Sequence, residues 1–235
     1  MKQLLKKTIS GCGLEVHRNT RTGVDPLRDV ALMNNAPLAS IVDVGANVGQ
    51  SAVRYARTFP GATIHSFEPV TVSYQNGKRN TGPYKQVIWH NLAVGNSNGN
   101  LVFYSSADSQ LNSITHSTAP AGDTDRNEVG IVRLDDYLPE IGVQRIDLLK
   151  TDTEGHDLSV LQGSERFLEG RRIKYILCEV GFTKVDGNHS YFPPITDFLE
   201  SYGYTFVGFY EMSNLNHYHR WHITYANALY ACPSL

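Results

Sequence analysis

Cysteine is scarce in this chain: Cys12, Cys178 and Cys232 are the only three, too few and too far apart for a disulfide framework or a zinc knuckle. A reducing cytoplasmic setting is expected, and Cys178, inside the apolar run Ile176–Val180, reads as a small buried hydrophobe. No stretch approaches the roughly 20 apolar residues of a membrane span, and the first residues lack the continuous apolar centre of a secretion signal. Positive charge is not in excess either. The 21 Lys and Arg against 23 Asp and Glu leave a formal net charge of -2, without the basic surplus that broad nucleic-acid binding requires. The opening residues do place Lys2, Lys6 and Lys7 among Leu4, Leu5 and Ile9. That short basic amphipathic pattern suits a peripheral contact with an anionic membrane face, although an ordinary surface helix is the commoner origin of such a pattern.

With 235 residues, 41% of them hydrophobic, the chain can bury a full core and fits one domain over 1–235. Residues 1–38 read as a leader with a helix over Pro26–Asn34, and 39–235 as the core. Short apolar runs at Ile41–Val44, Ala62–Phe67, Val87–Val94, Ile146–Asp152 and Ile173–Val180 alternate with helical patterns, including Val72–Arg79 and Pro194–Tyr202. Tyr204–Phe209 and Ala226–Ala231 close the pattern as a hairpin-like pair. The expected fold is α/β: a doubly wound, mostly parallel sheet with an antiparallel edge strand. Leu101–Tyr104 reads as a hairpin return, Ser105–Glu128 as a long polar connection of the kind that closes over ligands, and Val129–Leu134 as a further strand.

The stretch from Ile41 to Pro69, IVDVGANVGQSAVRYARTFPGATIHSFEP, is the most informative. A buried strand runs into the turn Gly45-Ala46-Asn47-Val48-Gly49, a helix shows Ala52, Val53, Ala56 and Phe59 on one face, and a second strand delivers Glu68. An acid there can accept hydrogen bonds from both hydroxyls of a ribose. The spacing Gly45-x-Asn47-x-Gly49 resembles a dinucleotide fingerprint, so NAD competes with S-adenosylmethionine as the ligand. Asp43 favours the latter, because a carboxylate two residues before the first glycine repels a pyrophosphate and suits an ammonium and a sulfonium. Asn91, in the Asn91-Leu92-Ala93-Val94-Gly95 segment that ends the third strand, is placed near the adenine.

Acids recur at the other strand ends: Asp152 with Glu154 just beyond it, and Glu179. Together with Asp43 and Glu68 they would line the crevice where ligands bind in open parallel sheets. The segment Lys150-Thr151-Asp152-Thr153-Glu154-Gly155-His156-Asp157 concentrates ionisable groups between a strand and its helix. Asp152, Glu154, His156 and Glu179 are therefore the candidates for catalysis, and a Mg²⁺ ion held by the acids is another way of activating an acceptor hydroxyl. The late run Asn216-His217-Tyr218-His219-Arg220-Trp221-His222 offers tyrosine and tryptophan faces suited to a sugar. A zinc site there is less favoured, since nothing fixes its histidines on one face.

Six blocks resemble the FkbM family of S-adenosylmethionine-dependent methyltransferases: D-V-G-A-N-V-G-Q-S (Asp43–Ser51), F-E-P (Phe67–Pro69), N-L-A-V-G (Asn91–Gly95), L-L-K-T-D-T-E-G (Leu148–Gly155), V-L-Q-G (Val160–Gly163) and Cys178-Glu179-Val180. The late strand Asn227-Ala228-Leu229-Tyr230 also fits, and Thr153 departs from the aliphatic residue relatives often carry. The resemblance implies a class I methyltransferase fold and O-methylation of sugars or natural products. The expected partner is a sugar-containing acceptor: a glycolipid, polysaccharide or glycosylated metabolite. A non-catalytic carbohydrate-binding module on the same fold and an NAD-dependent reductase are the alternatives.

Overall fold

The computed structural model describes residues 22–106, 124–184, 188–213 and 223–232. The basic amphipathic start, Cys12 and the Asn216–His222 run therefore lie outside the described residues. Five strands run parallel: β1 (Ser40–Val44), β2 (Thr63–Phe67), β3 (Val87–His90), β7 (Ile146–Thr151) and β8 (Ile173–Gly181). They join β9 (Thr205–Tyr210) and β10 (Tyr225–Ala231) in one seven-stranded sheet of order β3-β2-β1-β7-β8-β10-β9. β10 runs antiparallel to both β8 and β9, which makes the antiparallel edge expected from the sequence. Strand order reverses between β1 and β7, so their carboxyl ends open a crevice at the centre of the sheet.

Each strand alternates its side chains between two faces. Val42, Val44, Phe67, Leu149, Ile176, Cys178 and Tyr230 are buried on one face, beneath α4 (Leu134–Glu140), α5 (Asp157–Gln162), α6 (Glu165–Glu169) and α7 (Phe192–Ser201). Ile41, Ile64, Leu148, Leu177 and Leu229 are buried on the other, against α1 (Pro26–Met33) and α2 (Gln50–Thr58), whose Leu27, Val30, Ala52, Tyr55 and Ala56 point inward. A fully buried aliphatic side chain of this kind contributes about 1.5–3 kcal/mol. Helix α3 (Thr71–Asn80) follows β2, and none of the described helices is long and apolar enough to cross a membrane.

Two boundaries differ from the sequence reading. The stretch Val87–Val94 is two strands: β3 ends at His90, and β4 (Ala93–Val94) joins a second sheet of order β4-β6-β5. In that sheet β5 (Gly99–Ser106) pairs antiparallel with β6 (Thr124–Val132), in register from Gly99 opposite Ile131 to Ser106 opposite Thr124. The polar residues 124–128, read as part of the connection, thus extend a strand, because the ladder to β5 satisfies their backbone regardless of hydropathy. Residues 107–123 lie outside the described residues, and with them most of the long polar connection expected to close over ligands.

Candidate active site

The turn after β1 is shaped by the approach of another backbone. Gly45 is in the left-handed region (φ 77°), and a Cβ there would stand 1.8 Å from the carbonyl oxygen of Asp152. Only glycine lets the ends of β1 and β7 meet this closely. The amides of Gly45 and Ala46 both donate to the carbonyl of Phe67 at 3.0 Å, tying the turn to β2. Asn47 (φ 48°) and Gly49 (φ 87°) are also left-handed, and Gly49 caps α2.

Glu68, 6% exposed, holds the turn together. One carboxylate oxygen accepts from the Asn47 amide at 2.9 Å, the other from the Val70 amide at 2.8 Å. Burial raises its pKa to about 7, against the lowering effect of those two amides. Each oxygen keeps a lone pair for a further donor. Asn91 stands where β3 and β4 part. Its amide nitrogen donates to the carbonyls of Glu68 and Pro69 at 2.9 and 3.0 Å, while its oxygen accepts from Thr71 at 3.2 Å, so the structure places it as a brace behind Glu68.

Asp43 shares the face of Ile41 and lies beneath the rim rather than on it, 0% exposed with neither carboxylate oxygen hydrogen-bonded. Burial raises its pKa to about 6, partly offset by Lys150. Lys150 is opposite Asp43 in the β1–β7 register. Its ammonium, 5% exposed as a residue, stands 3.8 Å from Asp43 Oδ1 and 2.9 Å from Asp152 Oδ2. Burial opposes the charge on Lys150, but Asp152 and Asp43 outweigh it and raise its pKa.

Asp152 and Glu179 form an acid pair at the ends of β7 and β8. Burial and the neighbouring Asp152 push Glu179 well above the usual carboxylate range. Burial acts the same way on Asp152, yet Lys150 and the hydrogen bond shared with Glu179 hold it below its ordinary value. At neutral pH Glu179 is the protonated member and donates to the Asp152 carboxylate. His189 Nε2 lies 3.8 Å from Glu179 Oε2, and its ring stacks on Tyr225 with centroids 4.4 Å apart.

Glu154 adopts a left-handed backbone (φ 49°), and its buried Oε2 lacks a hydrogen-bond partner. Burial and Asp152 raise its pKa. His156 sits at the amino end of α5, its Nε2 buried without a partner and its pKa lowered by burial. The next residue, Asp157, occupies the first turn, accepting from the Thr153 amide at 3.3 Å and the Ser190 hydroxyl at 2.9 Å. Among the described residues no three His, Cys, Asp or Glu side chains converge with metal-ligand geometry. The acids present do not fit a Mg²⁺ site.

The structure brings Asp43, Gly45, Asp152 and Glu179 together and joins Glu68 to Asn47. The sequence reading named Lys150 only as part of its segment, with no role of its own, and missed His189. A lysine inside the apolar run Ile146–Thr151 was the available signal for the first; nothing local marks the second.

The family description "Methyltransferase FkbM domain" matches residues 43–206. The chain belongs to the FkbM methyltransferase family. Among the relatives of this FkbM chain are the "2-O-methyltransferase NoeI" of Sinorhizobium fredii, 26% identical over 161 residues (63% of this chain, 66% of that protein), and the "31-O-demethyl-FK506 methyltransferase FkbM" of Streptomyces tacrolimicus, 28% identical over 197 residues (71% and 73%). "Methyltransferase 1" of Beauveria bassiana is 29% identical over 142 residues, covering 52% of this chain and 57% of that protein. The chain thus spans between a half and two thirds of the length of the first two relatives by strength of match. The METTL16 MTase domain shares the fold, with a TM-score of 0.50 at 15% identity over 97% of this chain and 77% of that one.

Proposed function

We propose that the protein is a cytoplasmic, single-domain S-adenosylmethionine-dependent O-methyltransferase acting on a sugar hydroxyl of a glycolipid, polysaccharide or glycosylated metabolite. The observation that carries the reading is the acid-flanked glycine turn at the point where strand order reverses, with Asp43 buried beneath it and Glu68 beside it. An anionic crevice of this kind suits a cationic nucleoside and repels a pyrophosphate. The names of NoeI and of the Streptomyces protein both describe transfer to oxygen.

In this reading Glu68 accepts the ribose hydroxyls through its remaining lone pairs, while Gly45, Asn47 and Gly49 shape the methionine end and Asn91 keeps the Glu68-Pro69 turn in place beside the adenine. Asp152 gives the crevice its negative potential, while Asp43 lies buried beneath it and is compensated by Lys150. S-adenosylmethionine supplies an electrophilic methyl group on a sulfonium, open to direct displacement. Glu154 suits the task of accepting the acceptor's proton best. It is coupled to Glu68 on one side and to Asp152 and His189 on the other, carries an unpartnered oxygen, and has a raised pKa that makes its carboxylate a better base. His156 is kept neutral by burial, and Glu179, whose proton is engaged with Asp152, holds the orientation of that carboxylate. Alignment of the hydroxyl with the methyl supplies much of the acceleration.

The test is a mass-spectrometric screen of glycolipid and polysaccharide extracts incubated with the protein and S-adenosylmethionine. A carbohydrate that gains the mass of one CH₂ unit supports the reading; a gain confined to non-carbohydrate molecules contradicts the sugar assignment.

A further inference from the structure

We infer that Lys150 is a positioning residue for the ligand rim: its ammonium bridges the buried Asp43 and the rim carboxylate of Asp152, and so fixes where Asp152 points. Three observations carry this. The β1–β7 register sets Lys150 opposite Asp43 on one face of the sheet, so the pairing is built into the strand alignment. The ammonium is 2.9 Å from Asp152 and 3.8 Å from Asp43, and almost wholly withdrawn from water. Among the described residues neither oxygen of Asp43 has a hydrogen-bond partner.

A buried carboxylate without a hydrogen bond is costly unless a charge compensates it. Lys150 compensates Asp43 and keeps a second, shorter contact with Asp152, whose side chain remains 37% exposed. With Asp43 and Asp152 ionised and Lys150 charged, the three groups carry one excess negative charge, and the only part of it that meets the crevice is on Asp152. The other ionisable groups around this set are Tyr55 beside Asp43, Glu68 and Glu154 across the turn, Asp157 below, and Glu179 with His189 beyond Asp152.

The ligand named here rests on the methyl-donor reading; the electrostatic part does not. Removing Lys150 alone leaves Asp43 buried and uncompensated and can unfold the chain. The test therefore uses the double variant Asp43→Asn/Lys150→Met, which removes both buried charges. In ligand-free protein carrying ¹³C at the aspartate carboxyl carbons, with Asp152→Asn for assignment, the Asp152 midpoint should rise by about one pH unit or more in the double variant. Affinity for S-adenosylmethionine by calorimetry should fall roughly tenfold, with circular dichroism unchanged. A midpoint that stays put, or an unchanged affinity beside a moved midpoint, overturns the positioning role. If the wild-type protein does not bind S-adenosylmethionine while the midpoint still moves, the methyl-donor reading fails and the coupling of Lys150 to Asp152 stands.

Discussion

The two halves of the crevice are built differently. On the β1–β2 side, Glu68, Asn47 and Asn91 are fixed by bonds to backbone: carboxylate to amides, side-chain amide to carbonyls. On the β7–β8 side, Asp152, Glu179, Lys150 and His189 are fixed by one another, through charge and shared protons. Backbone-held groups have one geometry over a wide pH range, whereas mutually held acids change partners as they titrate. The first arrangement suits holding a constant ligand, the second suits chemistry on a variable one.

The sharpest way to break the comparison is at the contact between the halves. Gly45→Ala puts a Cβ against the Asp152 carbonyl and forces a left-handed alanine. Denaturant unfolding should show a loss of roughly 4 kcal/mol from clash and strain together. A loss under about 1 kcal/mol would mean that the strand ends can separate freely.

Glu154→Gln tests the β7–β8 half alone. Turnover on an accepted sugar should fall about a hundredfold, with cofactor affinity within a factor of about two. Equal losses in both would move Glu154 to the cofactor side.

Glu68→Gln tests the other half and should cost about 2 kcal/mol of S-adenosylmethionine affinity. In the proposed role the ribose hydroxyls donate to the ionised carboxylate, and burial raises the Glu68 pKa to about 7 in the free protein. Wild-type affinity should therefore fall about tenfold per pH unit below that point, while the glutamine variant shows a flatter profile. Parallel profiles would free Glu68 of the role.

The smallest effect concerns the support under the β2–β3 ends. His65 Nδ1 and His90 Nε2 are 3.1 Å apart, and His90 Nδ1 is 2.9 Å from the Tyr137 hydroxyl. Burial, with His65 adding to it, lowers the His90 pKa to about 4. A depressed folded-state pKa means stability present above the unfolded value of about 6.5 and lost as pH falls toward 4. The loss between pH 7 and 5 should be smaller in His90→Gln by on the order of 1 kcal/mol, after allowance for partial exposure. Identical pH dependence would show that the imidazole pair does not titrate with folding.

What could be read from the chain tracks how local its causes are. The β1-turn-α2-β2 unit was legible because an apolar run, a glycine turn and an amphipathic helix each lie within a few residues. The parting of β3 and β4 was not, since Asn91-Leu92 looks like the middle of a strand until its amide is seen holding the Glu68 and Pro69 carbonyls. Leu158 and Leu161 fall in α5 and Leu168 in α6, the two parted at Gly163, where a Cβ would stand 2.0 Å from the Gly95 carbonyl oxygen. Two sequence blocks that marked the family resemblance are thus in backbone contact, a relation no spacing reveals. The pairing of Lys150 with Asp43 depends on strand register across more than a hundred residues, and Glu179 with His189 on a turn that has no hydropathic signature.

The central claim, that an acid-flanked turn selects a cationic nucleoside over a dinucleotide, is tested most directly by calorimetry of the purified protein against S-adenosylmethionine and NAD at pH 7.5. Saturable binding of S-adenosylmethionine and none of NAD is expected. Binding of NAD, or the absence of any heat with S-adenosylmethionine, would contradict it.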